Sequence, residues 1–150
     1  MPLLPRRFER LKKILNCRMT DLTVLLESVG KPHNASAILR TCDAVGVLDA
    51  HTVYSSKSNK AFKSIAQGSE KWVRTYNHDN IEIAINHLKE RGFKLYGTSL
   101  TGKVSDYRDC DFTGPTAFLL GTEKWGMSED AKNLVDCSVF IPMRGMVQSL

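Results

Sequence analysis

Short apolar runs alternate with helical patterns along nearly all of this 150-residue sequence, and that alternation restricts its fold more than any other feature. LTVLLESV, starting at Leu22, is followed by a helix from about Asn34 to Val45, then by HTVYSS and a helix around Ala61 to Gln67. KWVRTY comes next, then a helix from about Asn80 to Arg91 with Ile81, Ala84, Ile85 and Leu88 on one face. FKLYGTSL, TAFLLG, a short helix in SEDAKNLVD and SVFIP complete the series. This is the rhythm of βαβ units. Gly46 and Gly92 fall just past two of the helices, where a left-handed cap is wanted. TAFLLG is apolar on both faces, as a parallel strand covered by helices on both sides must be. The sequence therefore predicts an α/β fold with a Rossmann-like, mostly parallel sheet and helices on both faces.

Composition agrees with one globular unit. Hydrophobic residues make up 42% of the chain and charged residues 25%, which is ordinary for a packed domain. No apolar run approaches the roughly 18 residues that a membrane span requires, and the start of the chain is charged where a secretory signal is apolar. No membrane association and a cytoplasmic location are expected. Cys17, Cys42, Cys110 and Cys137 show neither a CxxC pair nor zinc-ligand spacing, so free thiols and no metal are expected. The net charge of +5 favours a polyanionic partner. Residues 1–20 form a basic extension: Phe8, Leu11, Ile14 and Leu15 recur at helical spacing among Arg6, Arg7, Arg10, Lys12, Lys13 and Arg18. Such a helix packs on the core or contacts RNA. Residues 21–150 are read as the main domain.

Ligands of open parallel sheets bind beyond the carboxyl ends of the strands, and three of those junctions are unusual here. In KPHNASAILRTCDAVGV, Asn34 opens a helix and Arg40 follows six residues later. Asn34 reads equally well as a helix N-cap, and Arg40 as a surface cation. In LLGTEKWGMSEDA, a strand runs into Gly121, a tight turn holds Glu123, and Gly126 precedes the next helix. Without a GxGxxG fingerprint, this loop disfavours NAD. In FIPMRGMVQSL, a strand ends at Pro142 and a loop leads towards a further helix.

Taken together, these segments resemble the SPOUT superfamily of methyltransferases, and within it the TrmH family, which methylates ribose in tRNA and rRNA. The first family motif, an Asn followed by an Arg at the start of a helix, is matched by Asn34 and Arg40. The second, a glycine-bracketed Glu, is matched by Gly121, Glu123 and Gly126. The third runs from a strand through Pro and a Gly-containing loop to Ser-Leu-Asn, and IPMRGMVQSL supplies it through Ser149 and Leu150. The Asn is not reached, so the knot helix is expected to be truncated and the domain incomplete at its C-terminus. The wording around Asn34 and the basic first helix resemble the tRNA-directed branch, whose target is the D-loop guanosine (Gm18).

The resemblance implies a SPOUT fold with a C-terminal trefoil knot, an exception to the rule against knotted chains. It also implies S-adenosyl-L-methionine as cofactor, tRNA as partner, and a homodimer packed near its knots. The cofactor loops are expected at Thr98, Ser99 and Leu100, at Gly121, and from Ile141 to Leu150. There Ile141, Met143, Met146 and Leu150 enclose the adenine or pack in the core. Arg40 is implied to activate the ribose 2'-hydroxyl, with Asn34 holding Arg40 or the ribose, Glu123 organising the loops or pairing with a cation, and Ser149 bonding near the centre. RNA contact is expected from Arg10 and Arg18, with Lys89 and Arg91 behind them. Two other readings compete. One is a non-catalytic RNA-binding module; the other is a small-molecule enzyme, which needs a phosphate-binding glycine loop that KPHN does not supply.

Overall fold

Strand β1 (Met19–Glu27) buries Leu25 and Leu26 completely. Successive strand residues point to opposite faces, so this strand needs cover on both sides. The computed structural model, which describes residues 4–29, 31–54 and 72–146, supplies it. The remaining elements are α1 (Pro5–Leu15), α2 (Pro32–Val45), β2 (Val47–Val53), β3 (Arg74–His78), α3 (Ile81–Glu90) and β4 (Lys94–Thr98). They continue with β5 (Ser105–Asp106), β6 (Thr116–Leu120), α4 (Glu129–Leu134) and β7 (Cys137–Phe140). The strands form one seven-stranded sheet in the order β3-β2-β1-β6-β4-β7-β5, with every pairing parallel.

On one face, Ile81, Ala84, Ile85 and Leu88 of α3 and Ala131 of α4 pack with Leu25, Val53, Leu95, Ala117 and Leu119. On the other face, Ala35, Leu39 and Cys42 of α2 pack with Leu26, Val47 and Ala50. Burying each large aliphatic side chain contributes roughly 1.5–3 kcal/mol. The helix stripe read from the sequence in α3 is the one that is buried. Asn80 caps it by accepting from Ile83 N–H at 2.8 Å. Gly46 does more than cap α2. Its φ is +90°, and a Cβ there would lie 2.6 Å from the Cys17 carbonyl oxygen, so the chain entering β1 passes where only glycine leaves room.

Three sequence expectations change in detail. Helix α2 begins at Pro32, with Lys31 as its N-cap, so Asn34 sits inside the first turn and does not cap the helix. Strand β3 begins at Arg74 and its side chains are largely exposed, which is why an apolar signal misplaces it towards KWV. β5 is two residues long and has no periodicity to read. The helix expected around 61–67 and the knot segment at 147–150 lie outside the described residues.

Strand order fixes where a ligand can sit. From β1 the chain steps outward to β2 and β3, then crosses to β4, leaving β6 between β1 and β4. That reversal opens a crevice beyond the carboxyl ends of β1, β6 and β4.

Candidate active site

A long-range hydrogen bond spans the crevice. Asn34 Nδ2 donates to Glu123 Oε1, joining residues 89 apart in sequence. Asn34 reaches the crevice because β1 leads directly into α2. Glu123 is carried by a turn in which Thr122 N–H donates to Gly126 O at 2.9 Å and Gly126 N–H donates to Thr122 O at 2.8 Å. Gly126 adopts φ +68°. Gly121 is packed so tightly that a Cβ would lie 2.1 Å from the Gly126 carbonyl carbon and 2.3 Å from Met127 N. The second glycine-rich junction is therefore a rigid turn folded on its own exit, with the carboxylate at its tip aimed at α2. Sequence reasoning offered Asn34 either Arg40 or the ribose as a partner; the structure gives it Glu123.

The loops after β4 and β7 adjoin the same crevice. Thr98 Oγ1 donates to Leu119 O at 3.2 Å, and Ser99 N–H donates to Val139 O at 3.0 Å, so the end of β4 is tied to both neighbouring strands. Leu100 is 59% exposed, Ile141 is 50% exposed and Met146 is fully exposed, while Met143 is partly buried. Core packing does not account for the three exposed side chains. Apolar side chains left open beside backbone-lined loops fit an adenosyl group, which offers a flat ring to cover and polar edges to bond. Ser149 and Leu150 lie outside the described residues.

Arg40 is exposed, with no hydrogen bond or ion pair to any described residue. It stands six residues beyond Asn34, about 9 Å along the helix axis and about 120° around it.

The cations expected to meet RNA are not equivalent. The Arg18 side chain is only 6% exposed. It forms an ion pair with Asp43 and donates to Val47 O at 3.2 Å, so it fastens the end of α1 to α2. Lys89 donates to Leu134 O at 2.8 Å and pairs with Asp136 at 3.1 Å, linking α3 to α4. Arg91 lies 4.0 Å from Asp49 and over the ring of Phe93. Arg10 is exposed, with Arg6 and Arg7 along a groove of about 610 Å³ that Trp72 also lines. Helix α1 buries none of its residues, and Phe8 and Leu15 stay open to solvent.

Two residues of the site escaped the sequence reading. Glu27, the last residue of β1, is buried, and its Oε2 accepts from Ser128 N–H at 2.9 Å, across 101 residues. Tyr54 follows β2 and is buried; burial, and after it the nearby Glu123 carboxylate, push its hydroxyl up to about 12. An acidic residue closing the apolar run LTVLLE was the available signal for Glu27, since an unpaired carboxylate rarely ends a buried strand without a task. Nothing in HTVYSS distinguished Tyr54 from core. Among the described residues no group of His, Cys, Asp and Glu has metal-binding geometry, and no helix is long and apolar enough to cross a membrane.

A profile of the SpoU rRNA Methylase family matches residues 21–150. The chain is 53% identical over 144 residues to a tRNA (guanosine(18)-2'-O)-methyltransferase of Thermus thermophilus, covering 96% of this chain and 74% of that protein. It is 44% identical over 146 residues to the enzyme of that name from Escherichia coli K12, covering 97% of this chain and 64% of the relative. Among solved structures, a TrmH/SpoU tRNA modifying enzyme of A. aeolicus superposes with TM-score 0.85 at 39% identity, over 97% of this chain and 74% of that one. AviRb of Streptomyces viridochromogenes, in complex with the cofactor AdoMet, superposes with TM-score 0.72 at 28% identity, over 92% of this chain and 54% of that one.

Proposed function

We propose that this chain, which belongs to the SpoU rRNA methylase family, transfers a methyl group from S-adenosylmethionine to the 2'-hydroxyl of the D-loop guanosine in tRNA. The observation that carries this reading is the Asn34–Glu123 hydrogen bond, which draws two separate strand-end motifs into one crevice. The high identity to enzymes named for guanosine 18 of tRNA supports the substrate.

When bound, the cofactor would supply an electrophilic methyl carbon, the C–S bond breaking as the C–O bond forms, with the sulfur leaving as a neutral thioether and the hydroxyl proton passing to water or to an RNA phosphate. The loops at Thr98 to Leu100, at Gly121 and at Ile141 to Met146 would hold its adenosyl part, and the exposed Leu100, Ile141 and Met146 would cover the ring. Asn34 and Glu123 fix the relative position of α2 and the Gly121 turn. Arg40 acts on the ribose oxygen. A guanidinium keeps its proton, with a pKa above about 12, so its contribution is to orient the hydroxyl and stabilise the developing alkoxide, assisted by an RNA phosphate. Arg40 is exposed and has no hydrogen bond or ion pair among the described residues, which leaves it available to serve the cofactor of a second subunit in a homodimer. Ser149 bonds near the reacting centre. Arg10, with Arg6 and Arg7, meets the RNA backbone, and the protein works in the cytoplasm without membrane or metal.

The test is methyl transfer from labelled S-adenosylmethionine to unmodified tRNA, with calorimetric titration of the cofactor alongside. Wild-type protein binds cofactor and labels the RNA. Arg40→Ala lowers the rate by about a hundredfold or more and leaves melting temperature and cofactor affinity unchanged. Full activity in that variant removes Arg40 from its role. RNA binding with no cofactor heat identifies a non-catalytic binding module instead.

A further inference from the structure

We infer that Glu27 is a positioning residue for methyl transfer: its buried carboxylate holds the exit of the Glu123 turn and so presents Glu123 to Asn34. The inference rests on the proposed function and adds to it a residue that touches neither cofactor nor ribose.

Glu27 stands where three parts of the site meet. Through the backbone it is seven residues from Asn34, and Ser28, at φ +50°, turns the chain from β1 towards α2. Ser28 N–H donates to Val53 O at 2.9 Å, which fixes that turn against the end of β2, one residue before Tyr54. Through its side chain, Glu27 accepts from Ser128 N–H at 2.9 Å. Ser128 is the N-cap of α4 and lies two residues past Gly126, where the turn carrying Glu123 closes. Both partners of the Asn34–Glu123 bond are therefore referred to the same point, one by the chain and one by the Glu27 carboxylate.

The choice of residue argues for this task. Burying a carboxylate is expensive unless it is paired, and no Lys, Arg or His forms an ion pair with Glu27 among the described residues. A side chain kept for stability alone would be apolar at the end of LTVLL. What Glu27 supplies is a side chain long enough to set an acceptor oxygen within hydrogen-bond distance of Ser128 N–H. Without it, the turn keeps its internal bonds but loses its tie to β1, and Glu123 is presented less firmly to Asn34.

The experiment compares Glu27→Gln, Glu27→Asp and Glu27→Ala in methyl transfer to tRNA, each alone and in the Asn34→Ala background. Gln keeps an oxygen within reach of Ser128 N–H and retains most of the turnover. Asp keeps the charge but falls one methylene short, and with Ala it lowers kcat by about tenfold to a hundredfold, the scale expected for ångström-sized misplacement, with KM for tRNA little changed. In the Asn34→Ala background, where the bond to Glu123 is already gone, Glu27→Asp adds no further loss, because residues acting through one contact are not additive. Full rate in Asp with loss in Gln, or losses that multiply in the double variant, would overturn the inference. A lower melting temperature with an unchanged kcat would do the same. Wild-type protein that labels no RNA speaks against the proposed function itself, whereas active wild type with equally active variants speaks against Glu27 alone.

Discussion

At the scale of single residues, the basic side chains of this protein divide by burial. Arg18 and Arg10 both belong to the cationic run at the start of the chain, yet Arg18 is closed over by Asp43 and the Val47 carbonyl while Arg10 faces solvent. Replacing each by Ala should separate two effects. Arg18→Ala breaks a nearly buried charged hydrogen-bond set and should lower stability by about 1–3 kcal/mol, read as a shift in the denaturation midpoint. Arg10→Ala should leave that midpoint in place and weaken tRNA binding with a shallower salt dependence, the slope falling by about one unit for one lost phosphate contact. Equal effects of the two variants on RNA affinity would contradict the division. The sequence made these arginines look alike because spacing reports the face of a helix and not what covers it. Likewise it marked Asn34 and Glu123 separately, each as a residue at a strand end. That they bond to each other across 89 positions depends on β1 and β6 being neighbours in the sheet, which no local pattern encodes.

At the scale of elements, the inner strands and their helices were legible because their apolar content has no other use. TAFLLG and the Ile81–Leu88 stripe sit where their periodicity placed them. The edge was harder to read. β3 exposes most of its side chains, and a histidine cluster with no sequence signature joins it to β2 and α3. His51 Nδ1 lies 2.9 Å from His78 Nε2, and the rings of His87 and Tyr76 lie 5.5 and 5.1 Å from that of His51. Burial holds His51 down to about 4, helped by the charges of His78, His87 and Arg91 against the opposing pull of Asp49. His78 is lowered by burial and then by His87, against Asp79. Unfolded, both titrate at about 6.5, so the unfolded chain takes up protons first as the pH falls. The stability of the β3–α3 edge is therefore complete above about pH 6.5 and declines as pH drops, with the His51 contribution lost progressively towards about pH 4 and His78 acting in the same direction. Urea midpoints at pH 7.5 and 5.5 should differ less in His78→Gln than in wild type. An identical pH dependence in the two would show that the cluster does not couple protons to folding.

At the scale of the whole molecule, a fully parallel sheet with helices on both faces brings the ends of β1, β6, β4 and β7 to one edge, so distant motifs become one crevice. In the proposed function, this crevice delivers a methyl group to a ribose oxygen of tRNA. The most direct measurement is nucleoside mapping by mass spectrometry of unmodified tRNA after incubation with the full chain and S-adenosylmethionine. One new 2'-O-methylguanosine, in the D-loop, is expected. A methyl group on a base, or a ribose methyl confined to rRNA, would contradict it.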